Sequence, residues 1–438
     1  MNLVRRINWG AGLFLIVRRS LQQHALSTGI TALSDALASG LVMAVFSVKQ
    51  QTHEAFVGGS AGFDAVLGAR GSQLQLVLNT VFHLETSPGN IPWAMYQEIK
   101  KNPHVELAVP YAVGDNYQGF RVVGTTEEIF TAFEYQQGRK FMLRPGGRLF
   151  NPLRSEAVIG SYVAQRTGLR EEDVFNPYHG IATDESARHA VEYVVAGVLQ
   201  PTNSPSDRVI WIPLEGIFRM PDHVLRGSGK EYTAKPGEEI PDSEKEVSAV
   251  MLKLRNPETG GMALSQLINR QGKAATLAWP IDQVMLDLFD KIGWVDRVLA
   301  LVAYLVVVVA AGSILASIYN TMNERRREFA ILRALGARRA TVFAAIVMES
   351  SAIAALGSIA GFLVYAAILK VAAVIVRAQT GVVLDVFKAA QVDLAGSFSL
   401  SILLLAPLCM IVIGALAGVI PAFKAYRTDV AGNLAPMS

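Results

Sequence analysis

Apolar positions along this chain gather into four blocks, and one long stretch of mixed pattern lies between the first block and the second. The first block, 26–48, predicts a weak membrane span, because Ser34 and Asp35 interrupt it. Its small residues Gly29, Ala32, Ala36, Ala38 and Gly40 offer faces for close helix packing. The second, 294–320, holds Leu299 to Ala311 almost without a polar atom and spans on hydropathy alone. The third, 341–376, exceeds the roughly 20 residues a span needs, so it must tilt, kink or emerge from the bilayer. Gly357 and Gly361 lie four apart within it, the spacing of a helix-packing face. The fourth, 398–422, carries Pro407 inside and Pro421 near its end, which predicts a kink at Pro407.

The stretch 49–291 has a different rhythm. Glu156 to Gly160, Tyr193 to Leu199, Val209 to Ile212 and Val247 to Leu254 read as short strands. Glu98 to Lys101, Ser161 to Thr167 and Gly261 to Gln271 have helical character, and Pro213 to Phe218 resembles a strand running into a helix. Around 226–245 the chain becomes rich in Gly, Pro and charge, which predicts a mobile loop. The expected fold is an α-helical membrane protein with four transmembrane helices, one and then three, and a large mixed α/β domain between the first and second.

Composition agrees with that mixture: 51% of the 438 residues are hydrophobic, too many for an ordinary soluble enzyme and too few for a chain that is membrane throughout. The net charge of +3 decides little, but the placement of basic residues decides orientation. Arg18 and Arg19 precede the first span, Arg325, Arg326, Arg327, Arg333, Arg338 and Arg339 lie between the second and third, and Lys424 and Arg427 follow the fourth. Both termini and the tail 423–438 are then expected in the cytoplasm, with 49–291 and the loop 377–397 on the far side. Residues 1–22, with Arg5 and Arg6 before a short apolar run, read as an interfacial amphipathic helix. One cysteine, Cys409, excludes an intrachain disulfide, so the extracytoplasmic domain must rely on its own core.

The most informative segment is 323–339, Asn-Glu-Arg-Arg-Arg-Glu-Phe-Ala-Ile-Leu-Arg-Ala-Leu-Gly-Ala-Arg-Arg, just after a span on the basic side. It favours a helix up to Gly336, a natural C-terminal cap. On a helical wheel Phe329, Ile331, Leu332 and Leu335 share one arc, expected to lie on the bundle, and Arg326, Ala330, Arg333 and Ala337 share the other, expected to face a partner. A blander reading is that these arginines only fix topology and bind lipid head groups. The residue order speaks for more: Glu-x-Ala-x-Leu-Arg-Ala-Leu-Gly-Ala resembles the cytoplasmic segment of MacB/FtsX-type permeases, the FtsX-like family with a MacB-like periplasmic domain that includes relatives of LolC and LolE. Further likeness lies in Gly62 to Leu76, Glu156 to Leu169 and Gly197 to Arg208, which look like the periplasmic domain of such permeases.

That resemblance implies a non-catalytic permease subunit in the bacterial inner membrane. The helix at 323–339 would contact a separate ABC ATPase through Glu324, Arg326, Arg327, Glu328, Ala330, Arg333, Gly336 and Ala337. ATP and Mg²⁺ would sit on that partner, with no cofactor in this chain. Two permease chains, identical or paralogous, would pair, with Gly357, Gly361 and the small face of the first span as candidate contacts. A periplasmic adaptor or substrate-binding protein could complete the path. ATP-driven closure of the ATPases would move the spans and, through them, the extracytoplasmic domains, driving export or extraction of a periplasmic or membrane substrate. The rival reading is an FtsX-like transmitter that regulates a periplasmic partner and moves no cargo.

Other chemistries find little support. No G-x-x-x-x-G-K-[ST] occurs, and Gly227-Ser-Gly-Lys230 is followed by Glu231, without the hydroxyl that would hold Mg²⁺. There is no G-x-S-x-G elbow. His53, His83, His104, His179, His189 and His223 are scattered without tight ligand spacing, so no metal site is expected, although folding can gather distant residues. The basic segment has no interleaved aromatics and lies at a membrane, which argues against nucleic acid. Asp35 and Glu349 are acidic groups inside apolar blocks. Asp35 is read as gating or substrate passage, or as satisfied near the cytoplasmic boundary by arginine or water, and Glu349 as helix packing or coupling, or as plain structure.

Overall fold

A computed structural model describes residues 2–57, 62–136, 138–180, 187–220, 240–394 and 398–427. Two compact units emerge: residues 1–51, 293–374 and 384–438 form one, and 52–292 with 375–383 form the other.

The first unit is helical. α1 (Asn2–Gln23) is followed directly by α2 (Ala25–Val57), which leads into the second unit.

The second unit begins with β1 (Ala65–Ala69), α3 (Gln73–Thr80), β2 (Ile91–Pro92), α4 (Trp93–Lys100), β3 (Val105–Tyr117), β4 (Phe120–Thr125) and α5 (Glu128–Thr131). It continues through β5 (Glu156–Ile159), α6 (Ser161–Thr167), β6 (Val174–Phe175), β7 (Tyr178–His179), β8 (Tyr193–Val198), β9 (Val209–Pro213) and α7 (Leu214–Phe218). β10 (Glu246–Val247), β11 (Ala249–Leu254), α8 (Pro257–Ser265) and β12 (Ala275–Ala278) complete it. One mixed sheet of ten strands runs β12-β1-β11-β3-β4-β9-β5-β8-β6, with β7 added on β3.

The strands are apolar at nearly every position because both sheet faces are covered. In β9, Val209 and Trp211 enter one core layer and Ile210 and Ile212 the other; in β11, Ala249 and Met251 oppose Val250 and Leu252 in the same way. Tyr96 and Ile99 of α4, Val163 of α6 and Ile217 of α7 cover one face. Leu76 and Val77 of α3 and Ile129 and Phe130 of α5 cover the other. The period of two thus sorts each strand's side chains into two layers, making an α/β/α sandwich that needs no disulfide.

Most of the stretch 226–245 lies outside the described residues, as does the sequence Gly227 to Glu231. From 240 the chain is ordered: Ile240 is buried in the core and Asp242–Glu244 forms a 3₁₀ turn, so the expected mobile loop does not extend this far.

The remaining helices are longer than the predicted spans. α9 (Ile281–Glu324) starts in the second unit and carries the chain back to the first. After α10 (Arg326–Ala334) comes α11 (Arg339–Thr380), of 42 residues or about 63 Å. The end of α11 belongs to the second unit, where Arg377 Nη2 donates to Gln165 Oε1 at 2.8 Å and the guanidinium lies 5.0 Å from the Tyr162 ring. A hairpin, β13 (Gln391–Leu394) and β14 (Phe398–Ser401), precedes α12 (Ile402–Arg427), so the fourth apolar helix begins at 402 and not 398. Four helices, α2, α9, α11 and α12, are long and apolar enough to cross a membrane.

Candidate functional site

The segment 323–339 is not one helix. α9 ends at Glu324, the backbone turns at Arg325 (φ −97°, ψ 8°), and α10 is a separate helix of nine residues. Gly336 adopts φ +97°, a left-handed conformation that suits glycine, and the chain turns there into α11 as the sequence predicts.

What fixes α10 is Arg325. Its guanidinium is buried, and Nη1 donates to Ser20 Oγ of α1 and, at 3.3 Å, to Glu349 Oε2 of α11. Ser20 Oγ in turn donates to Glu349 Oε1, and Arg325 Nε donates to Glu328 Oε2 at 2.9 Å. The same guanidinium lies 5.2 Å from the Phe329 ring. Drawing Arg325 inward turns Phe329 and Ala330 toward the bundle, where both are buried.

This rotation overturns part of the predicted wheel. Ala330, expected on the partner-facing arc, faces inward, while Ile331 (44% exposed) and Leu335 (81% exposed), expected against the bundle, face outward with Arg327 and Glu328. Arg333 and Ala337 are half-buried. Glu324 is the last residue of α9, and its carboxylate lies 3.9 Å from His24 Nδ1. The side chain of Arg326 lies outside the described set. Sequence reasoning missed Ser20 altogether and saw Arg325 only as a topology charge; the signal available was an arginine a few residues past the end of a predicted span, with a glutamate 24 positions on.

The other basic flanks meet at this end. Lys424 of α12 donates to the Tyr319 hydroxyl of α9 and stands 4.2 Å from its ring centroid, and Arg339 at the start of α11 lies 5.7 Å from the Tyr426 ring of α12. Between α1 and α10 a groove of about 390 Å³ is lined by Leu15, Ile16, Arg19, Gln23, Ile331 and Leu332 among others.

Asp35 and the paired glycines meet elsewhere, at the crossing of α2 and α11. A Cβ on Gly357 would contact Asp35 Oδ2 and stand 2.8 Å from the Ala32 carbonyl oxygen; one on Gly361 would stand 3.0 Å from Ser39 Cβ and 3.2 Å from the Ala36 oxygen. These glycines therefore serve packing within the chain, and with Ala36 and Ala38 buried the small face of α2 is already used. It is not an open surface for a second chain. Gly29 alone of that set faces open space. Asp35 is fully buried; Oδ2 accepts from Ser358 Oγ at 3.4 Å and Oδ1 has no partner among the described residues, so of the two expected ways of satisfying it, arginine or water, no arginine is found among them.

The far end of α2 is tied as firmly. Gln51 Nε2 donates to the carbonyls of Asp385 (2.9 Å) and Lys388 (2.5 Å), while Oε1 accepts from the Asp385 amide at 2.8 Å. The Tyr365 hydroxyl donates to the Val386 carbonyl at 2.8 Å.

A sheet domain with helices on both faces lies in the sequence between the first and second of four apolar helices, and a short basic helix follows the second, an arrangement that fits a multi-span membrane protein with one large domain. Two family models match: the MacB-like periplasmic core domain over residues 28–269, more than half of the chain, and the FtsX-like permease C-terminal domain over 300–430. The chain belongs to the MacB/FtsX-type permease family, which implies an ATPase partner and fits the inner membrane. Similar solved structures include the periplasmic region of MacB from Actinobacillus actinomycetemcomitans, at 11% identity and a TM-score of 0.32, covering 52% of this chain and 94% of that one. The extracellular domain of the noncanonic ABC-type transporter YknZ from Gram-positive bacteria is another, at 15% identity and a TM-score of 0.28, covering 48% and 97%. No curated protein matches the sequence.

Proposed function

We propose that this chain is a mechanotransmitting permease: a separate ABC ATPase docks on the outward face of α10, and its ATP-driven closure is passed through the helices to the α/β domain, which drives export or extraction of a periplasmic or membrane substrate. The observation that carries the reading is the Ser20–Arg325–Glu349 network at the root of α10. A push on α10 bears on Arg325, and Arg325 is bonded to α1 and α11 together, so the load reaches two helices and not a floppy loop. Hydrogen bonds from a buried charge give that joint stiffness. At the other end the Gln51 clasp links α2 to the segment after α11, so displacement of either helix is shared. Orientation with α10 in the cytoplasm follows from the basic residues gathered at its end of the bundle. Two permease chains would act together, and a periplasmic adaptor would receive the cargo.

The test is co-purification of the tagged chain from native membranes. Arg327→Glu combined with Leu335→Asp alters only exposed positions of the α10 segment and is expected to abolish recovery of the ATPase, with expression and unfolding temperature unchanged. Undiminished recovery would remove α10 as the docking site. Cargo-dependent ATP hydrolysis by the reconstituted pair then separates a transporter from a transmitter that moves nothing.

A further inference from the structure

Folding gathers two of the scattered histidines beside a buried acid. Asp115 lies on β3 just past the bulge at Val113, and His179 on β7 is its cross-strand partner. His189 approaches from the chain that follows. Asp115 Oδ1 is 3.4 Å from His189 Nε2 and 3.7 Å from His179 Nδ1, and the three donor atoms all lie within 4.8 Å of one another. Asp115 and His189 are buried, while His179 is exposed.

We infer that Asp115, His179 and His189 form a binding site for a divalent transition cation of the zinc type on the α/β domain. The spacing is the first argument. Charge-assisted N–H···O bonds lie at about 2.7–2.9 Å, so 3.4 and 3.7 Å are long for a simple His–Asp pair. Donors around a tetrahedral zinc, with metal–ligand lengths of about 2.0–2.1 Å, stand about 3.3 Å apart. The second argument is that the backbone carrying the donors is fixed by contacts outside the cluster. The His189 amide donates to the Pro177 carbonyl at 2.9 Å, and Asn176 Nδ2 donates to the His189 carbonyl at 3.2 Å. Arg188 Nη2 donates to Asn176 Oδ1 at 2.8 Å, and Asn116 Nδ2 donates to the Gly180 carbonyl at 3.0 Å, fixing the strand that bears His179.

Two imidazoles and one carboxylate suit zinc and its neighbours, not magnesium or calcium, which take oxygen donors. Three protein ligands leave one coordination position for water or an external donor, and the exposed His179 ring gives the ion its way in. Bound there, the ion would pin β7 and the chain at His189 to β3, a cross-link in a domain that has no disulfide.

The experiment uses the full-length chain in detergent, without a polyhistidine tag and stripped with EDTA, titrated with Zn²⁺ by calorimetry and with Co²⁺ by absorption. Expected are one equivalent of Zn²⁺ at a Kd below about 10 μM, a Co²⁺ spectrum of tetrahedral N/O coordination, and at least a tenfold loss of affinity in His179→Gln and in His189→Gln. His104→Gln, an exposed histidine elsewhere on the domain, should bind as wild type does. No saturable binding, or binding that His179→Gln leaves unchanged, overturns the site. Should a variant unfold at a lower temperature without metal, the wild-type Co²⁺ spectrum decides, and that of a six-coordinate aquo ion overturns the site.

Discussion

Arg325 illustrates how a single side chain can set the geometry of a short helix. Removing it leaves the Glu349 carboxylate buried without its cation, a change that costs roughly 3–5 kcal/mol for such pairs. Arg325→Met is therefore expected to lower the unfolding temperature in detergent strongly, and Arg325→Met with Glu349→Met should recover most of the loss, because neither charge then remains. Equal losses in the single and double variants would mean that the pair is not coupled. In the α/β domain, His83 is held in the left-handed region at φ +55°, with Nδ1 shut off from solvent and no partner for it among the described residues. Burial of the ring, with Arg121 and then Arg208 nearby, pushes its pKa down to about 3. Between its ordinary pKa of about 6.5 and that value the unfolded chain takes up a proton that the folded one refuses, so stability falls on acidification by at most about 1.4 kcal/mol per pH unit. His83→Asn, which keeps a residue tolerant of positive φ, should flatten the unfolding temperature between pH 6.5 and 4.5 relative to wild type.

Among the helices, contact is set by what is absent. α2 meets α11 at Gly357 and Gly361, and α12 meets α11 at Gly414, where a Cβ would stand 2.5 Å from Ala354 Cβ. Gly357→Leu would drive a side chain into the backbone of Ala32 and is expected to abolish folding of the bundle, read as loss of a monodisperse species in detergent. Gly29→Ala on the same α2, with nothing within 4 Å, should be neutral or slightly stabilising. The G-x-x-x-G spacing of α11 was readable in the sequence. Its partner was not, because small residues fit a second chain as well as a second helix. Only the positions of Ala32 and Ala36 decide between them. The register of α10 was hidden for a similar reason: in nine residues and the cap that follows, with large apolar side chains at 329, 331, 332 and 335, hydrophobicity alone does not choose the inner face, and the pull on Arg325 does.

Over the whole chain, orientation is the property to test, and the single native cysteine makes the test clean. In a Cys409→Ser background, Leu153→Cys on the α/β domain, 88% exposed, should react with a membrane-impermeant maleimide in intact spheroplasts. Arg327→Cys should react only after permeabilisation. The opposite pattern would place the ATPase-docking face on the wrong side and sink the proposed function.

The four apolar blocks, the mixed α/β character of the stretch between the first two, the glycine cap at 336 and the basic residues flanking the blocks were determined by sequence, because each is a local matter of hydropathy, period or backbone freedom. The strand and helix readings at 156–167 and 193–218 agree with the structure for the same reason. The longer reach of the apolar helices was less legible, since hydropathy marks where lipid would be and not where hydrogen bonding stops. What tertiary structure alone decided are meetings between residues far apart in the chain: Ser20 with Arg325 and Glu349, Asp35 with Gly357, and Asp115 with His179 and His189. No local pattern encodes such meetings, because they depend on how the helices and strands pack.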